Sequence, residues 1–375
     1  MCAPSEITPL SGPKAGQAAY YALLGLGALS LAGYVWVAFL SHDFPYGAPL
    51  NPPSTHAYIA IAMALGLVCA GLLWAVPRVP PSRNGLLFIF AIGLAARAMM
   101  FGSTPVMEDD WHRYLWDGAV VANGVDPYKY APAEATPITR LGEEIGWSEV
   151  PDLAQLQELT EDHFEPYWRI NYPYFKTIYP PIAQGAFAAG YFIAPFNLNG
   201  WRAVLLMVDL GAFALLMFTL SLYRRSPLWA GLYWWNPVVI LEGFNAGHMD
   251  VLIVPFLIGA VALARLKRHH LAVIALAGAS AVKLWPALLA PALVRPYLFK
   301  PIQLAGLAGL FCIVAAILLW PQLQYVFADP DQGLTAYSET WRRHAFLFTL
   351  LVEGPFAGFG EPDQAARSWV AGLTS

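Results

Sequence analysis

Three consecutive carboxylates, Glu108, Asp109 and Asp110, stand just beyond the end of an apolar segment at Phe101-Gly-Ser-Thr-Pro105. A carboxylate held in a cleft at a membrane lip suits general-base chemistry on a hydroxyl group. One such acid would also cap the helix that follows and favour its positive end. Spacing alone leaves capping and catalysis both open. Three adjacent acids repel one another, so cations, solvent or protonation must compensate them. The ionisable residues inside apolar segments are Arg97, Asp209, Glu242 and Lys283, and such residues are functional candidates by default. Arg97 lies about a turn below the outer end of its segment, where snorkelling to the headgroups stands against a functional role. Lys283, beside Trp285 and Pro286, requires an anion to stay charged: Glu242 or Asp209, or a bound phosphate. For Asp209 a structural partner on another helix is expected. Asn245-Ala-Gly-His-Met-Asp250 reads as a tight turn. A helix start explains Asn245 or Asp250 without further function, while His248 is placed to hydrogen-bond an anion. Trp341-Arg342-Arg343-His344 gathers donors beside an aromatic ring, either for a phosphate or as an interfacial anchor.

The elements that must position these residues are set by composition. The chain is 58% hydrophobic and 12% charged, against about 25% charged in a soluble domain, which predicts an all-α polytopic membrane protein. Spanning helices need about 20 apolar residues. Segments 18–40, 57–76 and 85–101 satisfy this, and Arg78 and Arg83 mark the turn between the last two as cytoplasmic. The first segment lacks a cleavage-type signal pattern and is expected to stay as an anchor. Residues 105–180 carry 14 of the 25 acids and five Lys or Arg. They form a long acidic outer loop after the third helix, with an amphipathic interfacial helix from Trp111 onward and a surface helix over 151–165. Trp111, Tyr114 and Trp116 suit an interfacial depth. The division is therefore 1–104 N-terminal helices, 105–180 outer loop, 181–320 helix bundle, and 321–375 late outer loop with a short final segment.

Within the bundle, apolar stretches run over 182–196, 201–223, 227–244, 249–266, 271–294 and 302–320, with a Pro-broken one over 345–359. Keeping both 180 and 245 outside leaves an odd number of stretches between them. Either 182–196 or the stretch holding Pro237 must fall short of crossing. Arg295 and Lys300 stay inside only if 271–294 is a half-membrane hairpin turning near Lys283-Leu-Trp-Pro286. The acidic loop disfavours a nucleic-acid partner. Cys2, Cys69 and Cys312 give no disulfide framework. No phosphate-binding glycine loop or metal-ligand spacing occurs, so no cofactor is expected, although a divalent cation near Asp109 and Asp110 is conceivable. Acids and phosphate-type donors thus gather on one face of the membrane. That suits transfer of a group from a lipid phosphate, with a transporter or flippase and a non-catalytic scaffold as the competing classes.

Taken in order, Glu108-Asp-Asp-Trp-His-Arg-Tyr-Leu-Trp-Asp-Gly…Asn-Gly-Val-Asp-Pro-Tyr-Lys-Tyr-Ala-Pro132, Asn171-Tyr-Pro…Thr177-Ile-Tyr-Pro-Pro-Ile-Ala-Gln184, Trp235-Asn-Pro-Val-Val-Ile-Leu-Glu242, Gly247-His-Met-Asp250, Val282-Lys-Leu-Trp-Pro286 and Leu334-Thr-Ala-Tyr…Trp341 resemble bacterial polyprenyl-phosphate-mannose-dependent mannosyltransferases of the GT-C superfamily. The resemblance covers most of the chain and implies a GT-C-type helix bundle in the inner membrane. It also implies inverting transfer of a hexose, mannose above all, from a polyprenyl-phosphate donor to a glycan or glycolipid acceptor on the periplasmic face. The catalytic pair maps onto Asp109 and Asp110, and Asp110, four residues before Tyr114, is the expected base. Lys283, Arg97, His248, Arg342 and Arg343 are expected at the donor phosphate and lipid. Glu108, Arg113, Tyr179, Asp250 and Trp341 are expected at the sugar or acceptor. The sequence departs from the family where Trp341 is followed by Arg-Arg-His rather than shortly by Asn, and relatives continue through further membrane helices.

Overall fold

The computed structural model describes residues 13–47, 53–136, 148–162 and 164–326, which contain helices and no strand. The apolar stretch 345–359 and Trp341, Arg342, Arg343 and His344 lie outside these residues. Apolar runs free of interior breakers become long helices, because in lipid each backbone polar group must be satisfied within its own segment. These are α1 (Pro13–Ser41), α2 (Ser54–Ala75) and α3 (Arg83–Met100). Ser82 caps α3 by accepting from the Gly85 amide. Five helices among the described residues are long and apolar enough to cross a membrane: α1, α2, α3 and two that follow below. The chain is a multi-pass, all-α membrane protein.

Between α3 and the next long helix lies the acidic stretch, with α4 (Trp111–Ala122), α5 (Pro151–Asp162) and α6 (Phe164–Trp168). α4 does not leave the outward face expected of an amphipathic surface helix. Every residue from His112 to Val120 is buried inside the protein. Trp116 packs on Tyr167 of α6, in a small core with Val120, Val125, Ala135, Leu156 and Ile170. Tyr114 instead stacks on Phe187 of α7 (Pro181–Ile193). Gly118 permits this close packing, since a Cβ there would meet the Phe187 carbonyl oxygen at 2.4 Å. The aromatic residues assigned to an interfacial belt are therefore the seam between the acidic loop and the bundle.

α7 has only 13 residues, too few to cross the hydrocarbon on its own. It turns into α8 (Leu198–Leu222), the fourth long helix. The next stretch is broken throughout. A 3₁₀ turn over Pro227–Ala230 is followed by α9 (Gly231–Trp234), α10 (Pro237–Ile240) and a π-helical turn over Leu241–Asn245. Chain direction then bends by 115° into a 3₁₀ turn over Met249–Leu252 and α11 (Ile253–Arg265). Both candidates for incomplete crossing are thus short or broken. α12 (His269–Ser280) stops before Lys283, and the 3₁₀ turn Trp285–Leu289 and α13 (Ala290–Leu293) pack back against it. The sequence-predicted break near Lys283-Leu-Trp-Pro286 is present. α14 (Pro301–Val326), the fifth long helix, packs on α12 and α7.

Arg97 overturns the snorkelling expectation. Its side chain is wholly buried, its Nε lies 2.5 Å from Asp209 Oδ2, and its Nη1 donates to the Gly93 and Trp234 carbonyls at 2.9 and 2.8 Å. The guanidinium also lies 3.6 Å from the centre of the Trp234 ring, and the Tyr233 hydroxyl donates to the other Asp209 oxygen. Asp209 has the cross-helix partner expected of it, and Arg97 lies wholly inside the bundle.

Candidate active site

The turn after α3 and the bend before α11 are fastened together by one amide side chain. Asn245 Nδ2 donates to Ser103 Oγ and to the Thr104 carbonyl at 2.8 and 2.7 Å, and its Oδ1 accepts from the Val106 amide at 3.0 Å. Asn245 therefore joins two segments and does not cap a helix. Buried Arg202 of α8 reinforces the junction, donating to the Ser103 and Asn245 carbonyls at 3.1 and 2.7 Å. Trp201 Nε1 donates to the Gly247 carbonyl at 2.6 Å. Gly247 sits at φ +79, a conformation open to glycine at little cost. The bend it allows carries His248 back over the acids.

The three neighbouring carboxylates have separate roles. Glu108 turns back to accept from the amides of Asp109 and Asp110 at 3.0 and 2.8 Å, and its other oxygen lies 3.0 Å from His248 Nε2. Asp109 accepts from Asn171 Nδ2. Asp110 occupies the N-cap position of α4 but makes no side-chain cap, which removes the capping account of it. Its carboxylate lines the cleft and accepts no side-chain hydrogen bond among the described residues. Burial, with the Glu108 charge beside it, pushes Asp110 up to about 6 against the opposing charge of His248. Burial also works against the Glu108 charge, but hydrogen bonds from His248 and the two backbone amides outweigh it and hold this carboxyl below its usual range. The Glu108 hydrogen bond in turn raises His248 and favours imidazolium over the opposing effect of burial.

The cleft has a volume of about 410 Å³, and Asp110, Arg113, Tyr179, His248, Asp250 and Lys283 all line it. Lys283 pairs with Asp250, its Nζ lying 2.9 and 3.0 Å from the two carboxylate oxygens. This replaces the Glu242 or Asp209 partner considered from sequence. Glu242 is instead a half-exposed carboxylate 3.7 Å from His248 Nε2. Arg113 faces the cleft while its Nε donates to Asp117 at 2.8 Å and its Nη1 to the Phe175 carbonyl at 3.0 Å. Tyr179 packs edge-on to Tyr114 with ring centres 5.0 Å apart.

Sequence reasoning assigned no role to Asp117, Thr177 and Gln184. Buried Asp117 accepts from Arg113, from the Thr177 hydroxyl at 2.5 Å and from Gln184 Nε2 at 3.0 Å. This network holds one wall of the cleft, and its signal lay in the polar ends of Thr177-Ile-Tyr-Pro-Pro-Ile-Ala-Gln184. Asn171 and Gln322 also line the cleft, Gln322 donating to the Ile178 carbonyl at 3.0 Å. Glu108, Asp110 and His248 offer ligand atoms all within 4.8 Å of one another. Two of the three, His248 and Glu108, are already hydrogen-bonded to each other at 3.0 Å. Of the expected site residues, the described part gathers Glu108, Asp109, Asp110, Arg113, Tyr179, His248, Asp250 and Lys283 in or beside one cleft, and separates Arg97 from them. Compared with protein-family models, curated proteins and solved structures, the chain matches none.

Proposed function

We propose that the cleft transfers a hexose, with mannose the first candidate, from a polyprenyl-phosphate donor to a hydroxyl of a glycan or glycolipid acceptor. The reaction inverts the anomeric centre and takes place on the periplasmic side of the inner membrane. The observation that carries this reading is the state of Asp110. It is a cleft-lining carboxylate that accepts no side-chain hydrogen bond among the described residues, in an environment that raises it to about 6. A base is most effective when its pKa lies near the working pH. Asp110 takes the proton of the acceptor hydroxyl as that oxygen attacks the anomeric carbon. The bond from that carbon to the phosphate oxygen breaks, and its electron pair leaves with the polyprenyl phosphate. Lys283, and His248 whose positive charge the Glu108 hydrogen bond favours, stand where the departing phosphate gains negative charge. The choice of mannose and of the lipid carrier rests on the ordered motifs from Glu108 to Trp341.

The test is transfer from radiolabelled mannosyl-phosphoryl-polyprenol by purified protein in liposomes containing envelope lipids and glycolipids as acceptors. Label should pass to an acceptor with the wild-type protein and fail to pass with Asp110→Asn. A well-folded wild-type protein that consumes neither this donor nor its glucosyl counterpart would overturn the reading.

A further inference from the structure

Lys283 and Asp250 meet from two separate breaks in the bundle. Asp250 sits in the 3₁₀ turn at the 115° bend, and Lys283 follows the C-terminal end of α12. One ammonium faces both oxygens of one carboxylate, at 2.9 and 3.0 Å, an arrangement a phosphate group can also supply. Unlike Arg97 with Asp209, this pair is open, with side chains 47% and 45% exposed. Exposed ion pairs contribute little to stability, so exchange of partners is inexpensive. Beside the pair, Leu284 and Trp285 also line the cleft and are 52% and 45% exposed. A charged head and an apolar surface therefore lie next to each other, which fits an anionic amphiphile better than a free anion.

We propose that Asp250 is an internal counter-ion that occupies Lys283 until the phosphate of the lipid donor displaces it. Asp250 then sets donor affinity and is not a sugar ligand. This rests on the phosphate-donor reading above. Once displaced, Asp250 stays near His248, whose positive charge it favours after Glu108 and Glu242. Asp110 faces Lys283 as well, and Glu242 faces His248. Arg113 and Lys176 line the same cleft, Arg113 already held by Asp117, and relieving Lys283 of Asp250 is the step that adds a further cation for an incoming anion.

The experiment is calorimetric titration of the full chain in detergent with farnesyl phosphate, farnesol and inorganic phosphate. It uses wild type, Asp250→Asn, Lys283→Met and the double variant, with thermal unfolding as the check on folding. Farnesyl phosphate should bind at least tenfold more tightly than farnesol or inorganic phosphate. Asp250→Asn should tighten farnesyl phosphate binding by about threefold, the scale of an exposed ion pair. Lys283→Met should weaken it, and adding Asp250→Asn to Lys283→Met should change nothing further. Binding that is unchanged or weaker in Asp250→Asn overturns the counter-ion role alone. So does equal tightening in the Lys283→Met background, which would be general charge relief. Absence of farnesyl phosphate binding to a folded wild-type protein, or equal binding of inorganic phosphate, overturns both the counter-ion role and the lipid-donor reading.

Discussion

Arg97 with Asp209 and Lys283 with Asp250 are both cation–carboxylate pairs between distant segments, and both cations stand in apolar stretches of the sequence. The first pair has no exposed side-chain surface, and a tyrosine hydroxyl, two carbonyls and an indole face lie against it. The second is half-exposed at the wall of a cleft, where among the described residues the two side chains hydrogen-bond to each other alone. A buried charge whose partner is removed has no water to turn to, so the first pair is bound to the fold. The second exchanges partners readily, because solvent or a ligand can stand in for either member. Burial, more than residue type, separates a cohesive pair from one available to bind.

Asp110→Asn gives the sharpest separation of cleft from interior. Transfer should fall by about 10²- to 10⁴-fold, the range for loss of a general base, while folded yield stays at the wild-type level. Single-turnover transfer beside size-exclusion yield measures both, and near-normal turnover would pass the base role to Asp109 or Glu108. Arg97→Met should do the reverse. It leaves Asp209 buried without its cation, a loss on the order of 3–5 kcal/mol, seen as poor yield and a lower unfolding temperature. A stable Arg97→Met protein that has lost donor binding would erase the contrast between the two pairs.

A pH series sharpens the same contrast with a smaller effect. Asp110 must be ionised to accept a proton, so transfer should drop as pH falls through about 6, by roughly tenfold per unit below it. Stability moves the opposite way. A carboxyl raised from 3.8 to about 6 by the fold binds its proton more tightly when folded, so its contribution is complete below the unfolded value and is lost as pH rises through about 6. Asp110→Asn should remove both pH responses. The smallest expected effect is that of Lys283→Met, which should raise the apparent donor KM by about fivefold with stability within about 1 kcal/mol of wild type. A large loss of stability there would make Lys283 a structural cation like Arg97.

Sequence alone determined the parts whose causes are local. The long apolar runs of α1, α2, α3, α8 and α14 specify helices, because lipid leaves their backbone groups no other partners. Proline beside Lys283 and Pro237 marked the places where helices break, since proline cannot continue the ladder. The acids at the end of α3 and the turn at Gly247 were also visible as spacing. What lies opposite each residue was not. The segments that enclose α4 come from α6, α7 and α8, so its aromatic residues looked interfacial when read along one helix and proved to be buried. Arg97 and Lys283 looked alike because both sit in apolar runs, and only packing surrounds one with Asp209 and Trp234 and opens the other to a cleft. The three acids were equivalent as a string of letters. Tertiary structure gave Glu108 to His248 and the turn amides, gave Asp109 to Asn171, and left Asp110 facing the cleft, because His248 arrives from the bend before α11 and Asn171 from the segment between α6 and α7, which spacing along α4 cannot encode.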